Sequence, residues 1–362
     1  MEIPSSHPPP WGVDFPPASL VAAENAHGAP VLEDPVGATR LSDGTIVVAD
    51  RMASSVTYFD SSGRLIRRIG GHGEGPLEFG NLTWLGRCGG DTIFVWDDAQ
   101  HEMTVLDSRG MLVREFRVPM DSGPALPPDL LSCSNSGVLA FLPLLPGQSF
   151  RIDMKTGEGP WLSGSILLVD TRGRLVNQLE QAIPLFELRP LGRVTKVAVS
   201  SRYVYVATNG SDSVRVYELG GQRLPGLRLG LTLQAPSRRN YESAIEEQVK
   251  AFANAEVRRA MMKQLLSIPM PDYAPPITDL FAAEGDTIWA QVSPPGAPNT
   301  RLLAFTANDG VVAQLDIAME LRVFEVGQDY LVALGRDESE APRLAVYRLV
   351  RGLGSRDRSG PG

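Results

Sequence analysis

Short runs in which apolar and polar residues alternate recur along the whole chain. Residues 44–69 read GTIVVADRMASSVTYFDSSGRLIRRI and align almost residue for residue with residues 91–118, which read DTIFVWDDAQHEMTVLDSRGMLVREFRV. A third copy is split between residues 137–143 and 165–179. Weaker copies follow at residues 203–224, 286–315 and 329–350. Alternation with period two predicts β-strands, so each copy holds two strands, a turn and a third strand.

The turn before the third strand has the pattern Asp-x-x-Gly in the three clearest copies. The pairs are Asp60 with Gly63, Asp107 with Gly110, and Asp170 with Gly173. An aspartate carboxylate can close such a turn by accepting backbone N–H groups, and glycine readily adopts the positive φ that lets the chain reverse. The pattern therefore predicts a tight β-hairpin in each copy.

A further short apolar run precedes each copy and brings every unit to four strands. The units recur at intervals of about 47 residues, apart from two longer intervals, and this period is typical of propeller repeats. Six units predict an all-β fold, a six-bladed β-propeller of four-stranded antiparallel blades over residues 19–350. The last unit lacks an outer strand, and we expect residues 19–25 to close the ring by pairing antiparallel with residues 343–349. The Pro-rich residues 1–18 and the tail 351–362 are expected to be disordered.

Composition and charge limit the partners. The 362 residues include 36 glycines and 29 prolines, which fits many turns, and the net charge of −8 opposes binding to nucleic acid or to an anionic membrane. No apolar run is long enough to span a bilayer, and residues 1–17 lack the basic start and apolar core of an export signal. We expect a monomer whose partner is a protein or a small polar ligand.

The motifs of the first two units resemble those of a known group. GTIVVAD at residues 44–50 and FDSSGRLIRRIGGHGEGPLEF at residues 59–79 are similar to blades of the NHL-type, TolB-like six-bladed propellers of bacteria, where a blade ends in a GxGEGPxEF stretch. The resemblance implies an extracytoplasmic protein of the periplasm or cell envelope. Some members with this architecture are lactonases or lyases that use a metal in the central channel. The residues themselves imply no cofactor, and Ca²⁺ in the channel is the one that the resemblance allows.

Loop lengths differ between the two ends of the predicted blades. With strands a, b, c and d from the channel outward, the a–b and c–d turns lie at one end and the b–c and d–a connections at the other. All the long connections belong to the second set: residues 70–80, 119–128, 143–164, 184–193 and 235–276. We call this end the loop-rich face and the other the short-turn face. Because binding sites concentrate on loops held by a rigid scaffold, we expect function on the loop-rich face.

The longest connection contains a helical insertion, residues 236–270, between the fourth and fifth units. One helix is predicted over residues 238–266, after an N-cap at Ser237, because apolar residues such as Ile245 and Val249 recur at helical spacing with a slip midway. Two roles remain open for its apolar stripe. It could pack on neighbouring loops as a structural patch, or it could form a lid over the channel mouth.

Polar residues on the loop-rich face form the candidate binding site. Five follow the b strands of the first two units and two lie in the Gly-rich loop: Asp50, Arg51, Asp97, Asp98, His101, His72 and Glu74. Such side chains could bind a cation or a polar ligand at the channel mouth. The structural alternative is that the aspartates cap turns and the Asp–Arg pair is a solvated ion pair. The chain has no P-loop, HExxH or GxSxG motif, so no catalytic residue is assigned.

The two cysteines, Cys88 and Cys133, fall near the ends of consecutive inner strands. We favour two buried free thiols, with one disulfide between the second and third units as the alternative, because a disulfide requires Cα atoms within about 7 Å. The function expected from the whole sequence is non-catalytic binding or scaffolding, with a ligand or protein partner at the channel mouth. A metal-dependent, lactonase-like hydrolase or lyase is the alternative, and a sensor domain of an envelope assembly is a third.

Overall fold

The computed structural model of the chain describes residues 9–21, 32–118, 129–134, 136–145, 161–187, 189–250, 254–283, 285–292, 297, 299–336 and 342–351. Within these residues the chain forms 25 β-strands and two α-helices. The strands are short, and all but one of the strand pairings are antiparallel, as the alternating apolar pattern predicts.

Four sheets contain four strands each, and each is built from four consecutive strands. In the first blade they are β3 (Pro35–Arg40), β4 (Ile46–Asp50), β5 (Ser55–Phe59) and β6 (Leu65–Gly70). In the second they are β7 (Leu82–Arg87), β8 (Ile93–Asp97), β9 (Glu102–Leu106) and β10 (Leu112–Arg117). In the third they are β11 (Asp129–Cys133), β12 (Val138–Leu142), β13 (Trp161–Asp170) and β14 (Leu175–Glu187). In the fourth they are β15 (Lys196–Val199), β16 (Tyr203–Ala207), β17 (Ser213–Glu218) and β18 (Arg223–Arg228).

The other nine strands form one continuous sheet. They are β1 (Pro10–Val13), β2 (Ser19–Val21), β19 (Asp279–Ala282), β20 (Ile288–Gln291), β21 (Thr300–Thr306), β22 (Gly310–Ile317), β23 (Arg322–Val326), β24 (Tyr330–Arg336) and β25 (Pro342–Arg351). The prediction of six separate blades is therefore wrong. The structure has four four-stranded blades, and the strands expected for a fifth and a sixth blade belong to a single nine-stranded sheet.

Strand β1 is the physical reason for this difference. It lies between β22 and β25, parallel to β22 and antiparallel to β25, so that it joins two groups of strands by backbone hydrogen bonds. The Trp11 ring packs edge-on against Trp289 with a centroid distance of 5.2 Å. Residues 10–13 thus form a strand inside a segment that the sequence predicts to be disordered.

Strand β2 carries the predicted contact between the two ends of the chain. It pairs antiparallel with β25, with Ser19 opposite Val346 and Val21 opposite Leu344. The predicted pairing of the N-terminal segment with residues 343–349 is present over these three residues of β2. Residues 22–25 and 352–362, which the same predictions include, lie outside the described residues.

The inner strands surround a central channel. Strands β3, β7, β11, β15, β19 and β23 contact one another in chain order, and β23 contacts β3, which gives the propeller arrangement. Apolar clusters fill the space between neighbouring sheets. In one of them Val47 and Tyr58 of the first blade pack with Leu82 and Val95 of the second. Phe79 of the Gly-rich loop belongs to this cluster and is 1% exposed, so it anchors that loop between the two blades.

The Asp-x-x-Gly hairpins are confirmed. In the first, Asp60 Oδ1 accepts the N–H groups of Ser62 and Arg64, both at 3.0 Å, and Gly63 has φ of 82°. The hairpins at Asp107 and Asp170 repeat these bonds with the residues two and four positions on. The three hairpins between the third and fourth strands are therefore built by the same residues in the same way.

The insertion contains two helices, so the prediction of one helix over residues 238–266 is wrong. Helix α1 covers Arg238–Lys250 and α2 covers Ala255–Leu266. Ser237 caps α1 through a hydrogen bond from Asn240 N to Ser237 Oγ, as predicted, whereas Asn254 caps α2 by accepting the N–H of Glu256 at 2.8 Å. The helical conformation is interrupted at this second cap, which lies where the apolar spacing slips. Neither described helix is long and apolar enough to cross a membrane.

The apolar sides of the two helices pack against each other and against the connection between β14 and β15. Tyr241, Ile245 and Leu265 form a cluster that includes Leu191 of that connection. The Tyr241 hydroxyl donates to the carbonyl oxygens of Leu265 and Ile268, at 3.2 and 2.8 Å, which holds α1 to the end of α2. These contacts are those expected of a structural patch on neighbouring loops.

Cys88 and Cys133 form a disulfide with a Cα–Cα distance of 5.5 Å. The favoured prediction of two free thiols is wrong, and its alternative is correct. Cys88 follows β7 and Cys133 ends β11, so the covalent bond joins the inner strands of the second and third blades. Two strands that are neighbours around the channel bring their ends within disulfide distance.

Candidate functional site

The predicted residues Asp50 and Asp97 are buried structural clamps. Asp97 accepts the N–H groups of Gly80 and Asn81, which lead into β7, and those of Ala99 and Gln100, which follow β8, at 2.6 to 3.1 Å. Asp50 makes the same kind of contacts with the N–H groups of Glu33, Asp34 and Ala53. Both carboxylates are at most 2% exposed. Their hydrogen-bonding capacity is used within the fold, as the structural alternative predicts.

The other predicted residues surround these clamps, and all of them except the half-buried Asp98 are exposed. Arg51 forms an ion pair with Asp34, with 2.6 Å between its NH2 nitrogen and Oδ2. Asp98 accepts a hydrogen bond from Asn81, and burial raises the pKa of its carboxyl; Arg51 and His101 are close enough to act on its charge. His72, Glu74 and His101 are exposed. The fold brings Arg51, Asp97, Asp98 and His101 together, but none of the seven predicted residues lines the channel cavity.

The cavity of the central channel has a volume of about 800 Å³. Its wall consists mainly of inner-strand residues from all four blades and from β19 and β23 of the nine-stranded sheet, with Gln291, Thr300 and Tyr330 of β20, β21 and β24 among the others. A volume of this size is within the range of small-molecule sites in proteins. The inner strands start at the loop-rich face and end at the short-turn face. The cavity therefore has one end at each face, and the two ends carry different side chains.

At the loop-rich end, the first residues of three successive inner strands carry charge. Lys196 begins β15, Asp279 begins β19 and Arg322 begins β23, and all three line the cavity. Lys196 Nζ is 3.7 Å from Asp279 Oδ1, and both side chains are partly exposed. The Arg322 guanidinium lies over the Phe324 ring, 5.1 Å from its centroid, and donates to the Pro35 carbonyl oxygen at 3.0 Å. This end therefore presents the cations Lys196 and Arg322 and the carboxylate of Asp279, and the exposed Glu320, two residues before β23 begins, also lines the cavity.

At the short-turn end, a network of hydrogen bonds ties three sheets together. Arg87 NH2 donates to Glu325 Oε1 at 2.9 Å and to the Tyr330 hydroxyl at 2.7 Å. The Glu325 carboxylate also accepts the Thr39 hydroxyl at 2.8 Å and the Arg40 N–H at 2.9 Å. Arg87 belongs to the second blade, Thr39 to the first and Glu325 to the nine-stranded sheet. The network therefore fixes three inner strands relative to one another.

The electrostatics of this network keep Tyr330 and Arg87 each in one protonation state. Burial, reinforced by the Glu325 carboxylate, raises the pKa of Tyr330 far above neutrality. Burial alone would lower the pKa of Arg87, but Glu325, Tyr330 and Asp91 together more than offset it, and the pKa is raised. Tyr330 therefore stays neutral and Arg87 stays charged at physiological pH. Neither group is suited to exchange a proton near neutral pH.

The residues of the channel were not found from the sequence. Lys196 and Arg87 are single charged residues inside the short apolar runs TKVAVS and WLGRC, and Arg322 and Glu325 are the two charged residues of the run RVFEV. A charge in an otherwise apolar inner strand is the signal that could have located them, because only the side facing the channel offers such a group water or a partner. The sequence instead predicts a site at the residues that follow the b strands, because aspartates cluster there.

Two carboxylates of the channel wall, Glu325 and Asp279, already face cationic groups that compete with the Ca²⁺ ion that the resemblance allows. Calcium takes six to eight oxygen ligands. Glu325 is bound by Arg87, Thr39 and Tyr330, and Asp279 faces Lys196. Across the described part of the chain, no group of three or more His, Cys, Asp or Glu residues is arranged to hold a metal ion.

Comparison with known proteins relates this chain to solved structures only. No protein family and no curated protein matches the sequence. The chain is similar to protein BF0058 of Bacteroides fragilis, with a TM-score of 0.53 and 11% identity over 94% of this chain and 95% of that one. It also aligns with virginiamycin B lyase of Staphylococcus aureus, with a TM-score of 0.45 and 11% identity over 97% of both chains. A luciferin-regenerating enzyme aligns with a TM-score of 0.46 and 14% identity over 89% of this chain and 92% of that one. At these identities the likeness to BF0058 shows the propeller fold alone.

Proposed function

We propose that this protein is a non-catalytic binding propeller whose ligand is a small polar molecule with a carboxylate or similar anionic group. The ligand would enter the channel from the loop-rich face and contact Lys196 and Arg322. The observation that carries this proposal is the cavity itself, with two cations and one carboxylate at the first residues of three neighbouring inner strands. Kinship with NHL-type propellers, inferred from residues 44–50 and 59–79, is consistent with it but specifies no ligand.

The geometry of the three charged residues favours an anionic ligand. At 3.7 Å, the Lys196–Asp279 contact is longer than a hydrogen bond, so the ammonium group keeps donors for another acceptor. The Phe324 ring supports the Arg322 guanidinium and restricts its orientation. A carboxylate between these cations would gain charge-assisted hydrogen bonds, and Asp279 could accept a donor from the same molecule.

The opposite end of the channel supports binding in preference to catalysis. The Arg87, Glu325 and Tyr330 side chains are engaged with one another, and the pKa values of Arg87 and Tyr330 are raised away from neutrality. A general acid or base works best with a pKa near the operating pH. We infer that this network is a rigid floor for the cavity.

The test is a thermal-shift screen of small carboxylic acids and neutral analogues, followed by calorimetric titration of the best ligand. A carboxylate should raise the melting temperature of the wild-type protein, because a ligand that binds the native state stabilises it. Replacement of Lys196 by methionine should weaken binding about tenfold or more through loss of a charge-assisted hydrogen bond. The matched control is Arg258→Met on the exposed side of α2, which should bind as the wild type does. Equal affinity in the Lys196 and Arg258 variants would refute the proposed site.

A further inference from the structure

Exposed aliphatic side chains recur at the same place in three consecutive blades. They lie within three residues after the hairpin glycine of each blade: Leu65 and Ile66; Met111, Leu112 and Val113; Leu175 and Val176. Their exposed fractions lie between 37% and 57%. We call these seven residues the outer strip. They lie at the start of the outermost strands, beside the hairpins of the short-turn face.

The outer strip is continuous from blade to blade because each outer strand contacts the next hairpin. Arg67 of the first blade donates to the Arg109 carbonyl oxygen at 2.6 Å and lies 3.9 Å from the sulfur of Met111. Arg114 of the second blade donates from Nε to the Thr171 carbonyl oxygen at 3.0 Å. The same position thus links the first blade to the second and the second to the third.

The charge around the outer strip is opposite to that of the whole chain. Residues 60–70, 107–117 and 170–178 contain eight arginines and four acidic residues, whereas the chain carries a net charge of −8. Asp60 and Asp170 are neutralised in place by Arg64 and Arg174, with contacts of 3.1 and 2.6 Å. Arg109 and Arg172 are exposed at the hairpins themselves. The strip therefore combines aliphatic side chains with a local excess of positive charge.

We propose that the outer strip is a peripheral docking surface for an anionic phospholipid bilayer. Aliphatic side chains beside arginines are what a membrane interface accommodates, since the former enter the acyl boundary and the latter meet lipid phosphates. The overall negative charge does not prevent this, because charges farther than about 10 Å from the bilayer are largely screened at 0.1 M salt. Docking at the short-turn face leaves the loop-rich end of the channel open to the solvent.

The geometry favours a bilayer over a protein partner. The strip lies on three hairpins at the same end of their sheets, so one flat surface can contact all of them. It contains no aromatic residue, although aromatic anchors set in pockets dominate protein interfaces. Neither the channel cavity nor the second described cavity, of about 480 Å³ beside residues 230–234 and 274–276, includes a residue of the strip.

The test is co-sedimentation of the full chain with vesicles. One set contains equal parts of phosphatidylcholine and phosphatidylglycerol, and the other contains phosphatidylcholine alone. The strip variant carries Ile66→Ser, Val113→Ser and Val176→Ser, and the charge variant carries Arg109→Gln and Arg172→Gln. The control variant carries Met52→Ser and Val257→Ser, which replace exposed apolar residues elsewhere. Thermal melts of all four proteins establish that each variant is folded.

The wild type and the control variant should bind the anionic vesicles, and added salt should weaken this binding. The strip variant and the charge variant should each bind these vesicles at least about tenfold more weakly than the wild type does. Failure of the wild type to bind anionic vesicles at low salt would overturn the proposal, as would wild-type binding by both the strip and charge variants. A dimer of the wild type that the strip variant loses, without vesicle binding, would identify a second copy as the occupant and would also overturn it.

Discussion

At the scale of single residues, one type of side chain can serve either of two purposes, and the sequence alone does not distinguish them. An aspartate after a strand can bind a ligand or accept the N–H groups of its own turn. Asp50 and Asp97 do the latter, each holding the start of an inner strand and the turn after the second strand of the same blade. Of their neighbours on the loop-rich face, Arg51 and His101 are exposed and Asp98 is half-buried.

Removal of one clamp should destabilise the fold much more than removal of its neighbour. Asp97→Ala leaves four backbone N–H groups without an acceptor, so we expect a loss of about 3 kcal/mol in the free energy of unfolding. Asp98→Ala removes a single side-chain hydrogen bond and should cost about 1 kcal/mol or less. Urea denaturation of the two variants measures both values. Equal losses would contradict the clamp role of Asp97.

The ion pair at the short-turn end of the channel should behave as a coupled unit. Arg87→Met leaves the Glu325 carboxylate partly buried without its cation, and we expect a loss of about 3 kcal/mol. Addition of Glu325→Gln to that variant should restore part of the loss, because the uncompensated charge is then gone. A double-mutant cycle from urea denaturation measures the coupling. Strict additivity of the two single changes would show that the network does not fix the inner strands.

At the scale of elements, local sequence predicts hairpins well and long-range pairing poorly. The Asp-x-x-Gly turns and the N-cap at Ser237 depend on residues within a few positions of one another, and both are present. Strand β1 depends on partners some 300 residues away, and its flanking prolines indicate disorder when read alone. Tertiary pairing overrides that local preference. The prediction of one helix instead of two has a related cause, since the slip in the apolar spacing does not by itself reveal that Asn254 caps a new helix there.

Loss of β1 should weaken the whole domain because it uncovers the edges of β22 and β25. Deletion of residues 1–18 should lower the melting temperature by several degrees while unfolding stays cooperative. Trp11→Ala, which removes the contact with Trp289, should cost about 2 kcal/mol. Met52→Ala, at a side chain that is 68% exposed, is the control and should change little. Differential scanning calorimetry measures these shifts. An unchanged melting temperature in the truncated chain would show that β1 contributes nothing to stability.

At the scale of the whole molecule, repeat length and alternation predict a propeller of four-stranded units but not the number of separate blades. The number depends on whether neighbouring sheets merge, and a single four-residue strand decides that here. The loop-rich face was predicted from loop lengths, whereas the channel groups Lys196, Asp279 and Arg322 were not. Each of these comes from a different strand, so no local pattern unites them before the ring is assembled.

The central claim is that the loop-rich end of the channel binds an anionic small molecule. The most direct measurement is a crystallographic screen in which crystals of the full chain are soaked with small carboxylic acids and matched amides. The account predicts that carboxylates bind in the channel with an oxygen within about 3 Å of Lys196 Nζ or of the Arg322 guanidinium, and that the amides bind less often. Carboxylates found only outside the channel, or amides bound there equally well, would contradict it.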